Sequence, residues 1–422
     1  MRRLGISVLV CCALIGTVQA EVLTLEMALA AASEPHPDWR IAESEVQVAR
    51  AEQAAVSSRQ DFTLYLDGQL RSGRRPDDHW KPDNTGRLIA RKPLLDFGRS
   101  RGALEVAEQE IATREAALLS VESLRRLDIM ARYFDVLLAD MQYAADNEFM
   151  AVAYVARDNA RDRLDVGQIN RPDFLRREAE FQDRRERREL SLQRVRSTRQ
   201  QLAHAINRPG ALPDELAEPL LRDNARAIPE YDSLLAWVMQ NNPRVRGLKA
   251  QLAAAEARLL TVRTGRYPVL DAEIQGAGYS RESATRDDIS AGLVFSVPLY
   301  QGGRLDAEEA RARALRQRAE ADLDKLRFEL SDAVLEAMQE ISWLRETARG
   351  AADTQIEFRD WVLERARAEY ELEMQTSLGT SMAETQLAQL RRKQVEYRLA
   401  LALARLDALS GGRLPNTEGN QK

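Results

Sequence analysis

The strongest constraint on this fold is an internal duplication. Pro37-Asp38-Trp39-Arg40 returns as Pro243-Arg244-Val245-Arg246 at an offset of 206, and Val46, Ala49 and Ala51 return as Leu252, Ala255 and Ala257. Further on, Pro93-Leu94-Leu95-Asp96-Phe97-Gly98-Arg99 aligns with Pro298-Leu299-Tyr300-Gln301-Gly302-Gly303-Arg304 at an offset of 205. The 422 residues therefore divide into two copies of one long unit. A solenoid repeat runs to about 20–50 residues, so a period this long marks a tandem duplication. The expected segments are a leader at 1–20, a first repeat at 21–207, a linking segment at 208–231, a second repeat at 232–411 and a tail at 412–422.

Each copy shows the same order of elements. A helix opens it, from Leu25 to about Ser58 and again from Asp232 to about Arg263. Two alternating segments follow. Phe62, Leu64, Leu66, Gly68 and Leu70 are interleaved with Thr63, Tyr65, Asp67 and Gln69, a period of two that suits a strand and not a helix. In the second copy Ile289, Ala291, Leu293, Phe295 and Val297 alternate with Ser290, Gly292, Val294 and Ser296. Four such segments are expected, near 61–71, 86–95, 267–279 and 288–299, and about ten residues each is the length of a tilted strand crossing a bilayer. The stretches between the members of each pair, Ser72 to Thr85 and Ser280 to Asp288, are polar and read as exposed loops.

A very long helix comes next. From Arg99 to about Leu164, apolar residues recur at Ala117, Val121, Leu124, Ala131, Phe134, Leu138 and Met141; the second copy has Leu323, Leu326, Leu330, Ala333, Ala337, Ile341 and Leu344. This three-four spacing is a coiled-coil seam. Each long helix reaches a short break, Gly167 to Pro172 or Met374 to Thr380, and a charged helix returns, giving antiparallel hairpins.

Composition limits what these elements can build. With 30% charged residues and a mean hydropathy of −0.44, a helical membrane bundle is excluded. The formal charge of −5, without a basic segment, excludes the phosphate-neutralising surface of a nucleic-acid binder. Arg2-Arg3, the short apolar run Ile6 to Ile15 and Val18-Gln19-Ala20 read as a signal peptide. Both cysteines, Cys11 and Cys12, fall inside it, so the exported chain is expected to hold no disulfide, and its balance becomes 59 basic against 66 acidic side chains. An exported chain with membrane-length strands must bury their edges, yet four strands cannot close a barrel that needs about eight. The barrel must be shared: three copies give twelve strands with the coiled-coil stems on one side.

In its duplicated unit, in Pro-Leu-x-x-x-Gly-Arg after the strands at Pro93 and Pro298, and in Leu164-Asp165-Val166-Gly167 before a second hairpin helix, the chain resembles the TolC-type outer-membrane efflux proteins. The resemblance covers about Leu23 to Gly412. It implies a mainly α fold with a small β part: a homotrimeric twelve-stranded barrel in outer-membrane lipid, continued by an α-helical coiled-coil tunnel in the periplasm. It implies docking to a periplasmic adaptor and an inner-membrane transporter, as the exit duct of an efflux pump or a type I secretion system. A soluble periplasmic adaptor or scaffold is the alternative; it would explain the seams but neither the strands nor the duplication.

By the same resemblance the two hairpin tips meet the adaptor and form the periplasmic entrance. The first tip is Asp165, Val166, Gly167, Gln168, Ile169 and Asn170; the second is Leu372, Glu373, Met374, Gln375 and Thr376, with Glu373 where the glycine is expected. In the best-known member of the family, aspartates beyond the second tip ring the entrance. Here those positions are Gly379 and Met382, and Asp173 holds the equivalent place after the first tip. Asp173 also has a purely local reading, as a first-turn acid facing the helix dipole. No catalytic motif is present, and His36, His79 and His204 are dispersed, so no metal or cofactor is expected.

Overall fold

The computed structural model describes residues 22–74, 79–210, 215–281, 286–372, 378–412 and 414. The chain is mainly helical with one small sheet, and it packs as two units. One gathers Asp128–Leu221 and Asp353–Gln394 with the chain up to Ala32; the other gathers Ser33–Leu127, Arg222–Ala352 and the chain from Val395. Each unit draws on both sequence repeats. The leader expected at 1–20 and most of the tail lie outside the described residues.

The opening helix of each copy is broken where prolines interrupt it. The first is α1 (Leu25–Ala30), a 3₁₀ turn, then α2 (Pro37–Ser57); its counterparts are α5 (Tyr231–Asn241) and α6 (Pro243–Arg263). Proline lacks the N–H a helix interior uses but fits the first turn, and Pro37 and Pro243 both open the second segment there. The two 21-residue helices start and stop at the same offset of 206, and each is capped by the side chain before its proline. Asn242 Oδ1 accepts from the backbone N–H of Arg244 at 2.8 Å and of Val245 at 3.3 Å; His36 Nδ1 accepts from that of Asp38 at 3.2 Å.

The strands are β1 (Thr63–Gln69), β2 (Ser72–Gly73), β3 (Lys81–Pro82), β4 (Thr85–Leu95), β5 (Val269–Tyr279) and β6 (Ile289–Ser296). The long ones form an antiparallel sheet in the order β1-β4-β5-β6, which leaves β1 and β6 as its edges. β2 and β3 make a two-residue ribbon inside what the sequence presents as a loop, pairing Ser72 with Pro82 and Gly73 with Lys81.

Two hairpins complete the chain. The first consists of α3 (Arg99–Asp165) and α4 (Arg171–Ala205); the second of α7 (Arg304–Trp343), a π-helical turn at Leu344–Ala348, α8 (Arg349–Glu371) and α9 (Leu378–Leu409). At 1.5 Å per residue the 67 residues of α3 run for about 100 Å. All but one position of the seam read for α7 is buried: Leu323, Leu326, Leu330, Ala337, Ile341 and Leu344 pack with Leu399, Leu403 and Leu406 of α9 and with Leu234 and Val238 of α5, while Val334 takes the core place expected for the half-buried Ala333. The seam read for α3 is largely displaced. Only Phe134 of that set is buried, while Leu124 is 63% exposed; the other buried positions are Ala107, Ala116, Arg125, Ile129, Tyr133, Val136, Ala139, Ala145, Ala153 and Ala160. A 3.6-residue helix drifts about 20° per heptad against a 3.5-residue pattern, so over this length its buried stripe cannot follow one register.

The linking segment is fixed by charge. Arg226 makes a two-pronged pair with Asp407 at 2.8 and 2.9 Å, and Asn224 donates to Glu396 Oε2 at 2.8 Å. Arg345, on the π-turn, donates to the carbonyls of Asn224 at 2.9 Å and Arg226 at 2.7 Å. Its burial, with Arg349 and Arg226 nearby, lowers the guanidinium's pKa.

Candidate functional site

The sheet has two chemically opposite faces. Directly paired residues share a face, so the register can be read across it in rows. One face carries Leu66, Leu88, Gly276 and Ile289; then Leu64, Ala90, Ile274 and Ala291; then Leu95, Leu270 and Phe295. These side chains are bare: Leu66 is 77% exposed, Ile289 78% and Leu293 66%. The other face carries Asp67 beside Arg87 at 2.9 Å, Arg91 beside Glu273 at 2.5 Å, and a row of Tyr65, Gln275 and Ser290 with the buried Ile89 among them. Exposed apolar patches above a few hundred Å² are rare on soluble monomers, and this one runs along the sheet face, interrupted by Lys92 in the row it shares with Ala272 and Leu293. Apolar outside and ionic inside, at period two, is the pattern of a strand between lipid and a wet lumen.

Aromatic side chains mark the helical end of the sheet. Phe62, Tyr267 and Tyr300 are exposed there, and Phe97 stacks on Tyr267 with ring centroids 5.8 Å apart. Trp80 is exposed in the loop at the opposite end. Below the strands, beside Val269 and Ser296, opens a groove of about 930 Å³ lined by charges of both signs, including Arg99, Glu110, Arg258 and Glu308. The loops beyond the other end are tied by Asp83. It is buried, accepts from Arg71 Nε at 2.7 Å and from Arg286 Nη1 at 3.0 Å, and these two guanidiniums hold its pKa below the usual carboxylate value.

The first hairpin tip is built as a helix stop followed by a helix start. Gly167, at φ 73°, takes the left-handed position; its N–H donates to Leu164 O at 2.9 Å and that of Gln168 to Arg163 O at 2.8 Å. This pair of bonds is a Schellman motif, and glycine takes its φ without a Cβ penalty. Three residues on, Asn170 Oδ1 accepts from the backbone N–H of Asp173 at 2.9 Å and caps α4. Asp165, Val166 and Gln168 are exposed and Ile169 is half-buried. Asp173 is half-exposed and 3.5 Å from Arg176.

Leu372 is exposed just past α8, and Glu373, Met374, Gln375 and Thr376 lie outside the described residues. Gly379 is in the first turn of α9 against α3: a Cβ there would come within 2.6 Å of Val152 Cγ2. Its lack of a side chain is what lets the two helices approach. Met382, one turn on, is exposed. The structure thus places Gly379 and Met382 together on α9 and Asp173 in the corresponding turn of α4.

Two features escaped the sequence reading. The Asp67–Arg87 and Arg91–Glu273 ladder could have been found from Arg87 and Arg91, an even four residues apart on a strand whose alternate positions are apolar. The Arg–aromatic seam of the first hairpin has no such signal. There Arg184 stacks on Phe149 at 4.5 Å, Arg188 on Tyr143 at 5.4 Å, and Arg157 lies over Phe181 at 5.4 Å while pairing with Glu178.

Residues 234–412 match the family described as "Outer membrane efflux protein". Over this segment, which is under half of the chain, the sequence is similar to the outer membrane efflux proteins. The curated "Outer membrane efflux protein BepC" of Brucella suis biovar 1 (strain 1330) is 21% identical over 290 residues, which is 67% of this chain and 61% of that relative. The match thus spans under two thirds of the relative's length. The fold is shared over nearly the whole chain. The Campylobacter jejuni CmeC outer membrane channel superposes with a TM-score of 0.75 at 13% identity, covering 93% of this chain and 87% of CmeC. VceC of Vibrio cholerae gives 0.70 at 18% identity, covering 92% and 96%. The fold is the one that CmeC and VceC share. Among the described residues no helix is long and apolar enough to cross a membrane.

Proposed function

We propose that the chain is one protomer of a homotrimeric exit channel in the outer membrane of a Gram-negative cell, part of a tripartite efflux pump or a type I secretion system. The observation that carries this reading is the two-faced sheet with free edges. Unpaired strand edges in hydrocarbon cost several kcal/mol per polar group, and β6 of one copy against β1 of the next removes them. Three copies supply twelve strands, with the polar face inward as a hydrated lining and the helical hairpins as its periplasmic continuation. A soluble adaptor would leave the Leu66–Ile289 face in water without purpose.

The first tip, 165–170, and the second, 372–376, are on this reading the docking ends for a periplasmic adaptor, and substrate arrives from an inner-membrane transporter. Asp173, Gly379 and Met382 stand at the entrance. The repeats 21–207 and 232–411, joined through 208–231, are the duplicated halves of the protomer. The test is a single-cysteine pair placed on β1 and β6. Oxidation should give a covalent trimer in outer-membrane fractions, and the purified trimer should conduct in planar bilayers. Recovery as a soluble monomer without crosslinks overturns the reading.

A further inference from the structure

Three guanidiniums converge just beyond the helical end of the sheet. Arg263 closes α6, Arg266 lies three residues before the first β5 residue, Val269, and Arg313 reaches back along α7. Between them Glu309, nearly buried, accepts from Arg263 Nε at 2.9 Å and Arg313 Nη2 at 2.7 Å, and meets Arg266 Nη2 at 3.3 Å. Arg266 also reaches Asp306 at 2.8 Å. The cationic neighbours hold Glu309 below the usual carboxylate pKa, so it stays charged and keeps the three in place.

The cluster offers more donors than its carboxylates use. Each guanidinium carries five N–H groups, whereas Glu309 and Asp306 engage one or two from each. A cleft of about 480 Å³ adjoins it, lined by Arg263, Arg313, Arg316 and Gln317 together with Leu259, Leu260 and one carboxylate, Glu256, which lies 4.0 Å from Arg316. Leu260 is exposed. On α6 these lining residues are about half a turn from Arg258, Thr261 and Val262, which line the charged groove under the polar sheet face. The cleft is therefore on the side of the apolar face. Arg263 is six residues from β5 and Glu309 five residues into α7, about 8 Å along its axis, which matches the headgroup layer of some 5–8 Å flanking a hydrocarbon core.

We infer that Arg263, Arg266 and Arg313 form a binding site for the phosphodiester headgroup of an anionic glycerophospholipid, with Leu259 and Leu260 against its glycerol and upper acyl region. The site rests on the membrane reading above and adds a lipid partner to it. Planar guanidinium forks suit phosphate oxygens, and a juxtamembrane arginine adds about 1 kcal/mol toward anionic lipid. With Arg316 and Glu256 of the cleft included, four arginines stand against three carboxylates and leave one net positive charge, so the expected preference is about fivefold.

The test uses the full chain purified in detergent and examined by native mass spectrometry. Added phosphatidylglycerol should be retained about fivefold over phosphatidylcholine. The preference should vanish in Arg263→Gln/Arg266→Gln/Arg313→Gln, persist in Arg318→Gln, an exposed arginine farther along α7, and survive excess inorganic phosphate. If the triple variant misfolds, Arg263→Gln alone should halve the preference or more. Equal retention of the two lipids, an unchanged preference in the variants, or displacement by inorganic phosphate overturns the site. Conductance of the wild type in purely phosphatidylcholine bilayers is scored separately, so a pore without lipid preference sinks this site and leaves the channel reading standing.

Discussion

At the scale of a residue, Tyr133 shows how one hydroxyl organises backbone. It is fully buried, and its Oη donates toward Ala217 O at 2.6 Å and lies 2.8 Å from Leu23 O. The two carbonyls flank the parallel bridge between Leu23 and Leu216, so the hydroxyl pins the start of the chain to the linking segment. Burial, reinforced by Glu26, pushes its pKa up to about 12 from the ordinary 10.0. The sign follows from proton counting. Between pH 10 and 12 the unfolded tyrosine has lost its proton and the folded one keeps it, so the stabilisation present below pH 10 is lost as pH rises through that window. Tyr133→Phe should cost about 1–2 kcal/mol at neutral pH, because the carbonyls lose a donor, and should show a shallower alkaline decline than wild type. Chemical denaturation at pH 8 and pH 11 checks both. At Gly167 the constraint is conformational instead. With open space around its Cα but φ at 73°, Gly167→Ala should cost about 1 kcal/mol through strain alone, and Gly167→Asn less. Thermal melts of the two variants should rank them in that order.

At the scale of an element, the sheet makes a sharper demand than any helix. Ile274 and Gln275 are adjacent on β5 and face opposite ways, Ile274 in the Leu64–Ala90–Ala291 row and Gln275 beside Ile89 and Ser290. Ile274→Lys should cost about 2–4 kcal/mol near the bilayer midplane and deplete the heat-modifiable trimer, whereas Gln275→Lys should leave the trimer intact and alter conductance. Depletion by Gln275→Lys instead would mean the faces are assigned the wrong way round, and equal yields would mean that neither face meets lipid. The alternation that supports this was legible in the sequence, since Leu64, Leu66, Leu293 and Phe295 declare a face without any knowledge of their partners. So was the duplication, which the matched helices α2 and α6 reproduce residue for residue. The seam of α7 was legible too, because one continuous core of Leu323, Leu326 and Leu330 repeats in a single register. The seam of α3 was not: alanines such as Ala116, Ala139 and Ala145 bury well but give little periodic signal against their alanine-rich surroundings. The Arg263–Glu309–Arg313 and Arg226–Asp407 clusters were invisible for another reason, since each joins residues from separate elements and only folding brings them together.

At the scale of the whole molecule, the proposed channel raises the question whether its entrance selects by charge, and Asp173 is the residue that tests it. Its surroundings already account for it locally: as the third residue of α4 it sits in the favourable field of the helix N-terminus, its backbone is held by Asn170, and Arg176 stands 3.5 Å away. If that were its whole role, Asp173→Asn would lower stability by about 0.3–1 kcal/mol and leave ion flow unchanged. A ring of three such carboxylates behaves differently. Charges within a Debye length of about 8–10 Å of a conducting path bias every passing ion, and threefold symmetry triples the effect of one substitution. Asp173→Lys changes the ring by six charges, against a protomer whose own formal charge is only −5. Reversal potentials of purified trimers in a salt gradient should therefore move from cation-favouring toward anion-favouring, with Asp173→Asn in between. Arg176→Gln supplies the internal control, since freeing Asp173 from its partner should strengthen cation preference if the carboxylate faces the path. Three superimposable reversal potentials would reduce Asp173 to a first-turn acid that serves its helix alone, and would remove it from the entrance.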